Sequence, residues 1–206
     1  MSSQIGTVVA SESRSATVTR KTRETEITVS LRLDGTGATK IETGVGFFDH
    51  LMGSLAYHAL FDLDVAASGD LEIDEHHTVE DVALVFGAAL AEALGDRAGI
   101  VRFGDSSVPM DESVATAAVD LGGRPYAVVD LPFRGKRAGK LPLQLIEHVL
   151  ESFARAGGVT LNSRGRGRND HHLAEAAFKA LGRALGAACA VDARRSGPAS
   201  TKGTLG

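Results

Sequence analysis

Six of the seven histidines of this chain follow one pattern that occurs twice. Each copy has a lone histidine in a helical stretch, then a histidine doublet with a glutamate four residues after its first member. Residues four apart lie on one face of a helix, so each glutamate would lie beside the first histidine of its doublet. The copies are His50, His76, His77 and Glu80, and then His148, His171, His172 and Glu175. Imidazole and carboxylate ligands suit first-row divalent ions, and the even division predicts a pair of metal sites.

The repeat extends beyond the histidines and indicates a duplicated fold. Small and apolar residues recur at matching distances from the two doublets, as Gly87 does with Gly182. The period of about 95 residues is too long for a solenoid. We therefore expect an α/β (α+β) chain with an internal duplication into two similar halves, each with several strands and two helices. The predicted divisions are a mobile N-terminal tail at 1–15, halves at 16–95 and 96–190, and a C-terminal tail at 191–206.

Hydrophobic periodicity places the elements within each half. Helices are predicted over 47–59 and 76–94 in the first half, and over the stretches that begin near Leu141 and His171 in the second. Period-two alternation predicts one or two strands in 16–33, a returning strand after the turn at 33–37, and strand-like segments at 62–67 and 71–73. In the second half we expect a hairpin about Gly122 and Gly123, and a strand in VTLNSR.

Composition narrows the class of protein. A formal net charge of −4 and a pI near 6.0 give no reason to expect nucleic acid binding. No run of 18 apolar residues is present, and the first residues lack the pattern of a signal peptide, so we expect no membrane span and a cytoplasmic protein. The single cysteine, Cys189, suits a reducing compartment, and its apolar surroundings predict a packed side chain.

Seven motifs, in order, resemble the imidazoleglycerol-phosphate dehydratase family. They are GFFDHLM, GDLEIDEHHTVEDVAL, ALGDRAGIVRFG, PMDE, VDLGGRPY, NDHHLAEAAFKALGRAL and PASTKG. The resemblance covers about residues 16–206 and implies a four-stranded sheet packed on two helices in each half. It implies a hydro-lyase (a carbon–oxygen lyase) of histidine biosynthesis that converts D-erythro-imidazole-glycerol phosphate to imidazole-acetol phosphate and water, through a dimetal-bound imidazolate. It further implies two Mn²⁺ ions per active site, in a homo-oligomer of about 24 subunits with sites at the interfaces.

The resemblance also assigns roles to individual residues. One ion would take His76, His148, His171 and Glu175, and the other His50, His77, Glu80 and His172. Glu24 would transfer the proton, as general acid–base chemistry requires a positioned titratable group. The C-terminal tail would close over the substrate phosphate. The substrate contacts would be Arg102, Arg124, Lys179, Ser200, Lys202 and His58.

Some positions depart from the family pattern, and some residues keep two interpretations. Ser54 stands where a glutamine is frequent and Asn162 where a histidine is, and the segment before His171 is one residue shorter than expected. Four acids could orient metal-bound imidazoles or could be ordinary helix-start or turn residues. These acids are Asp49, Asp81, Asp111 and Glu112.

Two other classes of protein compete with the dehydratase. A dimetal hydrolase, such as a phosphatase or peptidase, usually holds its ions with bridging carboxylates, whereas this set has six histidines and only two glutamates. A non-catalytic metal-binding or assembly protein would use the same ligands for folding and oligomerisation. Glu24 and the basic residues would then have no purpose.

Overall fold

The computed structural model describes residues 14–205, and the first half forms one sheet and two helices. The predicted mobile tail therefore lies almost wholly outside the described residues, and its last residue, Ser15, begins a strand. The elements of this half are β1 (Ser15–Lys21), β2 (Thr25–Arg32), β3 (Thr39–Glu42), α1 (Gly46–Ala59), β4 (Asp62–Gly69) and α2 (His76–Leu94). Helix α2 has the predicted bounds, and Gly95 follows it with a positive φ of 54°.

The second half repeats this arrangement with one small addition. Its elements are β5 (Phe103–Met110), β6 (Ser113–Asp120), β7 (Tyr126–Asp130), β8 (Arg137–Ala138), β9 (Leu141–Pro142), α3 (Gln144–Gly157), β10 (Thr160–Arg166) and α4 (Asp170–Cys189). The two four-stranded sheets have equivalent orders, β1-β2-β4-β3 and β5-β6-β10-β7. In each sheet only the last pair is parallel. The predicted duplicated fold is confirmed.

Two local predictions were wrong. The segment about Gly122 and Gly123 is not a hairpin, because β10 lies between β6 and β7 and pairs with both. The hairpin of this sheet instead turns at Asp111, whose φ is +48°. The alternation of apolar and polar residues indicates which face of a strand is buried, but it does not indicate which strand pairs with it. The sequence therefore could not distinguish these pairings. Residues 71–73, predicted as strand-like, form a turn, and Ile73 donates its N–H to Asp70.

The helices form a layer between the two sheets, and each helix crosses a helix of the other half. α2 packs on α3 and α1 packs on α4, while α2 also covers β1 and β2 and α4 covers β5 and β6. The core is built from the inward side chains of both sheets and from these helices. Cys189 is buried there as expected, and burial raises the pKa of its thiol to about 12. Within residues 14–205, no helix combines the length and apolar character that crossing a membrane requires.

Glycines at the two helix crossings allow this close approach. A Cβ on Gly87 of α2 would lie 2.6 Å from the carbonyl oxygen of Phe153 in α3, and a Cβ on Gly182 of α4 would overlap the carbonyl oxygen of Leu55 in α1. Gly87 and Gly182, which match in the sequence repeat, therefore occupy equivalent positions at the two helix–helix contacts. Each crossing brings a helix that carries a lone histidine against a helix that carries a doublet.

We expect Gly182→Ala to destabilise the protein by about 1–3 kcal/mol, because the added methyl group has no room at the α1–α4 crossing. The matched control is Gly46→Ala in α1, where a Cβ would meet no heavy atom within 4 Å. Denaturant unfolding of both variants at one protein concentration measures the difference. Equal unfolding midpoints for the two variants would show that α1 and α4 can move apart to accept the methyl group without a loss of stability.

Candidate metal centre

Both histidine doublets stand at the start of a helix and are fixed there by a polar side chain two residues earlier. Asp74 accepts the backbone N–H of His76 at 2.8 Å, and Asn169 accepts that of His171 at 3.0 Å. Such side chains satisfy the free N–H groups of a helix start. Local sequence therefore fixes where each helix begins and hence the position of its histidine doublet. The packing of the helices determines which other side chains lie beside that doublet.

The first cluster, called the α2–α3 cluster, comprises His76, Glu80 and His148. Glu80 Oε2 lies 3.5 Å from His76 Nε2, and Glu80 Oε1 lies 3.2 Å from His148 Nε2. The three potential ligand atoms lie within 4.8 Å of one another. His76 and Glu80 share a face of α2, and His148 comes from the helix that crosses it.

The second cluster, called the α1–α4 cluster, comprises His50, His171 and Glu175. Glu175 Oε1 lies 3.0 Å from His50 Nε2 and 2.8 Å from His171 Nε2. These ligand atoms also lie within 4.8 Å of one another. The arrangement is that of the first cluster: a histidine and a glutamate one turn apart on one helix, with a lone histidine from the crossing helix.

The partition of ligands that the resemblance implied concerns sites that close between copies of the chain, so it stays a prediction beside the contacts within one copy. It placed His148 with Glu175 and His50 with Glu80, whereas the structure places His148 beside Glu80 and His50 beside Glu175. The reason is local: each glutamate stays with the first histidine of its own doublet because the two are one helical turn apart. The packing of α2 on α3 and of α4 on α1 then brings the lone histidine of the other half beside this pair.

The second histidine of each doublet belongs to neither cluster and is held by another carboxylate. Nδ1 of His77 donates to Asp70 Oδ2 at 2.9 Å and lies 3.8 Å from Glu24 Oε2, and Nδ1 of His172 donates to Glu112 Oε2 at 2.9 Å. A hydrogen bond at Nδ1 fixes the ring and leaves Nε2 as the available ligand atom. The carboxylates raise the pKa of both imidazoles.

The four acids left open by the sequence separate into two groups. Glu112 orients an imidazole, and Asp111 lies 3.8 Å from Nε2 of the same ring, that of His172. Asp49 instead accepts from the backbone and side chain of Thr43 at the start of α1, and Asp81 accepts from Arg20 and Thr25.

Asp70, which orients His77, was missed by the sequence analysis. Its signal was its place directly after a strand and seven residues before that histidine.

The chemistry of both clusters suits a divalent cation. His148 Nε2 is buried and has no hydrogen-bond partner among residues 14–205, since its geometry towards Glu80 does not make one. Although burial opposes ionisation, hydrogen bonds from Lys179 and His50 hold the pKa of Glu175 down at about 2. A metal ion would give the buried Nε2 of His148 the partner that residues 14–205 do not supply, and imidazole with carboxylate is a ligand set that first-row divalent ions accept.

Four of the six predicted substrate contacts lie around one cavity of about 300 Å³: Arg102, Arg124, Ser200 and Lys202. Arg102, at a φ of +76°, holds Asp120 with two hydrogen bonds of 2.6 and 2.9 Å and donates to Ala199 O at 2.7 Å. The C-terminal segment is therefore tied to the cavity wall.

The other two predicted contacts lie elsewhere in the chain. Lys179 donates to Glu175 Oε2 at 2.7 Å in the α1–α4 cluster. His58 lies at the end of α1, where burial and then the charges of Lys179 and Arg183 lower its pKa.

A duplicated α/β chain with paired imidazole–carboxylate clusters and a cavity lined by two arginines has the features of an enzyme that acts on a small anionic substrate. Residues 43–185 match the family model for imidazoleglycerol-phosphate dehydratase. The chain belongs to this family.

Relatives and a solved structure agree. The imidazoleglycerol-phosphate dehydratase of Chloroflexus aurantiacus is 53% identical over 98% of this chain and 100% of its own. That of Methanoculleus marisnigri is 53% identical over 93% of this chain and all of its own. The crystal structure of the enzyme from Staphylococcus aureus superposes with a TM-score of 0.77 at 32% identity, covering 85% of this chain and 98% of that chain.

Proposed function

We propose that this protein dehydrates D-erythro-imidazole-glycerol phosphate to imidazole-acetol phosphate in histidine biosynthesis. The observation that carries the proposal is the pair of equivalent two-histidine, one-carboxylate clusters in a member of this family. Each cluster has fewer ligands than a six-coordinate ion accepts, which leaves positions for substrate. We also propose a cytoplasmic location, because the free and buried Cys189 suits a reducing compartment.

The clusters would hold two divalent ions, and Mn²⁺ is proposed from the family resemblance. When bound, the ions would hold both nitrogens of the substrate ring and stabilise its anionic form, which favours loss of the neighbouring hydroxyl group. His77 and His172 are partly exposed, and their Nδ1 atoms are held by carboxylates, which leaves Nε2 for a further ligand. We infer that they complete the ligand sets of neighbouring copies, so that the sites close only in a homo-oligomer of about 24 subunits.

The remaining chemistry belongs to the side chains of this protein. The reaction removes the hydroxyl group from the carbon beside the ring and a proton from the next carbon, and the resulting enol becomes the ketone. Glu24, exposed beside His77, is the proposed group that moves this proton. Arg124 and Lys202 offer charge to the phosphate, Ser200 offers a hydroxyl donor, and Arg102 holds the C-terminal segment near it.

Metal removal tests the proposal directly. Purified protein from which a chelator has removed the metal should no longer form imidazole-acetol phosphate, and added Mn²⁺ should restore the activity. The reason is that the proposed reaction requires metal ions at the nitrogens of the substrate ring. Inorganic phosphate should compete with substrate, since it offers the same anion to the arginine-lined cavity. Release of inorganic phosphate without ketone formation would favour a hydrolase, and metal-dependent assembly without any turnover would favour a non-catalytic protein.

A further inference from the structure

Glu24 lies in an exposed turn between β1 and β2, yet the backbone around it is tightly held. The hydroxyl of Thr22 accepts the N–H of Glu24 at 3.1 Å and that of Thr25 at 2.9 Å. The N–H of Thr22 also donates to Thr25 O at 2.8 Å. The turn is therefore closed on itself by a threonine, as in other turns in which a hydroxyl replaces a backbone acceptor.

The closed turn is fastened to α2 through a buried contact. Thr25 is 4% exposed, and its hydroxyl donates to Oδ2 of Asp81, a buried carboxylate of α2. Arg20 donates to the same oxygen at 2.9 Å. A Cβ on Gly69, which pairs with Thr25 across the sheet, would lie 3.3 Å from the Thr25 methyl group and would overlap the hydroxyl of Thr78. The glycine thus leaves room for the turn to approach the helix.

The position of Asp81 on the helix connects this contact to the candidate site. Asp81 lies four residues after His77, so both side chains lie on one face of α2. Fastening Thr25 to Asp81 therefore brings the preceding residue towards the imidazole. Glu24 Oε2 accordingly lies 3.8 Å from His77 Nδ1.

We propose that Thr25 and Asp81 are positioning residues that set the distance between the Glu24 carboxylate and the His77 imidazole on α2. The inference rests on the proposed role of Glu24. Among the residues that the structure describes, Arg20 and Thr25 donate hydrogen bonds to Asp81, and both lie in the β1–β2 hairpin. The Asp81 carboxylate thus reaches the site through the turn. Misplacing a reacting group by about 1 Å can cost on the order of a hundredfold in rate.

The test replaces Thr25 with Val, which keeps the branched shape and removes the hydroxyl, and compares it with Thr25→Ser, which keeps the hydroxyl. Thr25→Val should lower kcat by about ten- to a hundredfold at unchanged metal content, and Thr25→Ser should retain most of kcat. Hydrogen exchange should accelerate in a peptide covering residues 20–27 and stay unchanged in one covering 82–94. If Thr25→Val does not assemble, Thr25→Ala, which also removes the hydroxyl and is smaller than valine, provides the same comparison.

A double substitution separates positioning from general structure. In a Glu24→Gln background, Thr25→Val should cause no further loss of the residual rate, because its effect acts through the missing carboxylate. An equal loss in both backgrounds, or a wild-type kcat for Thr25→Val, would overturn the inference while leaving the proposed function intact. A wild-type rate for Glu24→Gln would instead remove the role on which the inference rests.

Discussion

Glu24→Gln is expected to reduce turnover by a factor on the order of 10² to 10⁴, the usual contribution of a positioned acid–base group. The amide has nearly the shape of the carboxylate but cannot take a proton. Glu24 is exposed and belongs to neither the α2–α3 nor the α1–α4 cluster, although its carboxylate lies within 4.8 Å of the ligand atoms of Asp70 and His77. Because Asp70 already holds His77, we expect metal content and oligomer size not to change. Steady-state kinetics, metal analysis and size-exclusion chromatography on the same preparation measure the three quantities.

Glu26→Gln is the matched control, because Glu26 lies in the same hairpin and is also exposed. Its carboxylate accepts from Lys21 at 2.6 Å on the surface, and such pairs contribute little to stability. It should therefore turn over like the wild type. Wild-type turnover by Glu24→Gln would remove Glu24 from the mechanism, and loss of metal from that variant would make Glu24 a ligand rather than a proton carrier.

The helices that carry the candidate ligands could be predicted from the sequence because their signal is local. The four-residue spacing from His76 to Glu80 and from His171 to Glu175 decides which side chains share a face, whatever the helix packs against. Helix α2 was predicted with its observed bounds. The same spacing accounts for the grouping within one chain, whereas the partition that the resemblance implied concerns the assembled protein and stays a prediction.

The rest depends on contacts between segments far apart in the chain. Neither the place of β10 between β6 and β7 nor the crossing that brings His148 to Glu80 leaves a periodic trace in the sequence. Asp70 was missed because its position after a strand and seven residues before His77 does not by itself distinguish it from other turn acids, and only the fold places it beside His77. The arginine-lined cavity joins residues separated by about a hundred positions, so the motif match was the only sequence signal for it.

His76→Asn should remove about half of the bound metal, because the α2–α3 cluster then keeps one imidazole and one carboxylate while the α1–α4 cluster keeps its full set. Turnover should also be lost, because the proposed reaction requires an ion at each ring nitrogen of the substrate. The oligomer should dissociate more readily if the ions join neighbouring copies. His58→Asn is the matched control for metal content, because it changes the one histidine outside the repeated pattern.

The reciprocal change, His171→Asn, distinguishes the grouping seen in the chain from the partition implied by the resemblance. In the observed grouping, His76→Asn together with Glu80→Gln affects a single cluster, so the double variant should lose no more metal than His76→Asn alone, whereas His76→Asn together with His171→Asn affects both clusters and should lose nearly all of it. The implied partition instead places His76 with His171 and apart from Glu80, which reverses the two outcomes. Metal analysis of the two double variants therefore decides which carboxylate serves which imidazole, and unchanged metal content in both would contradict the ligand assignment itself.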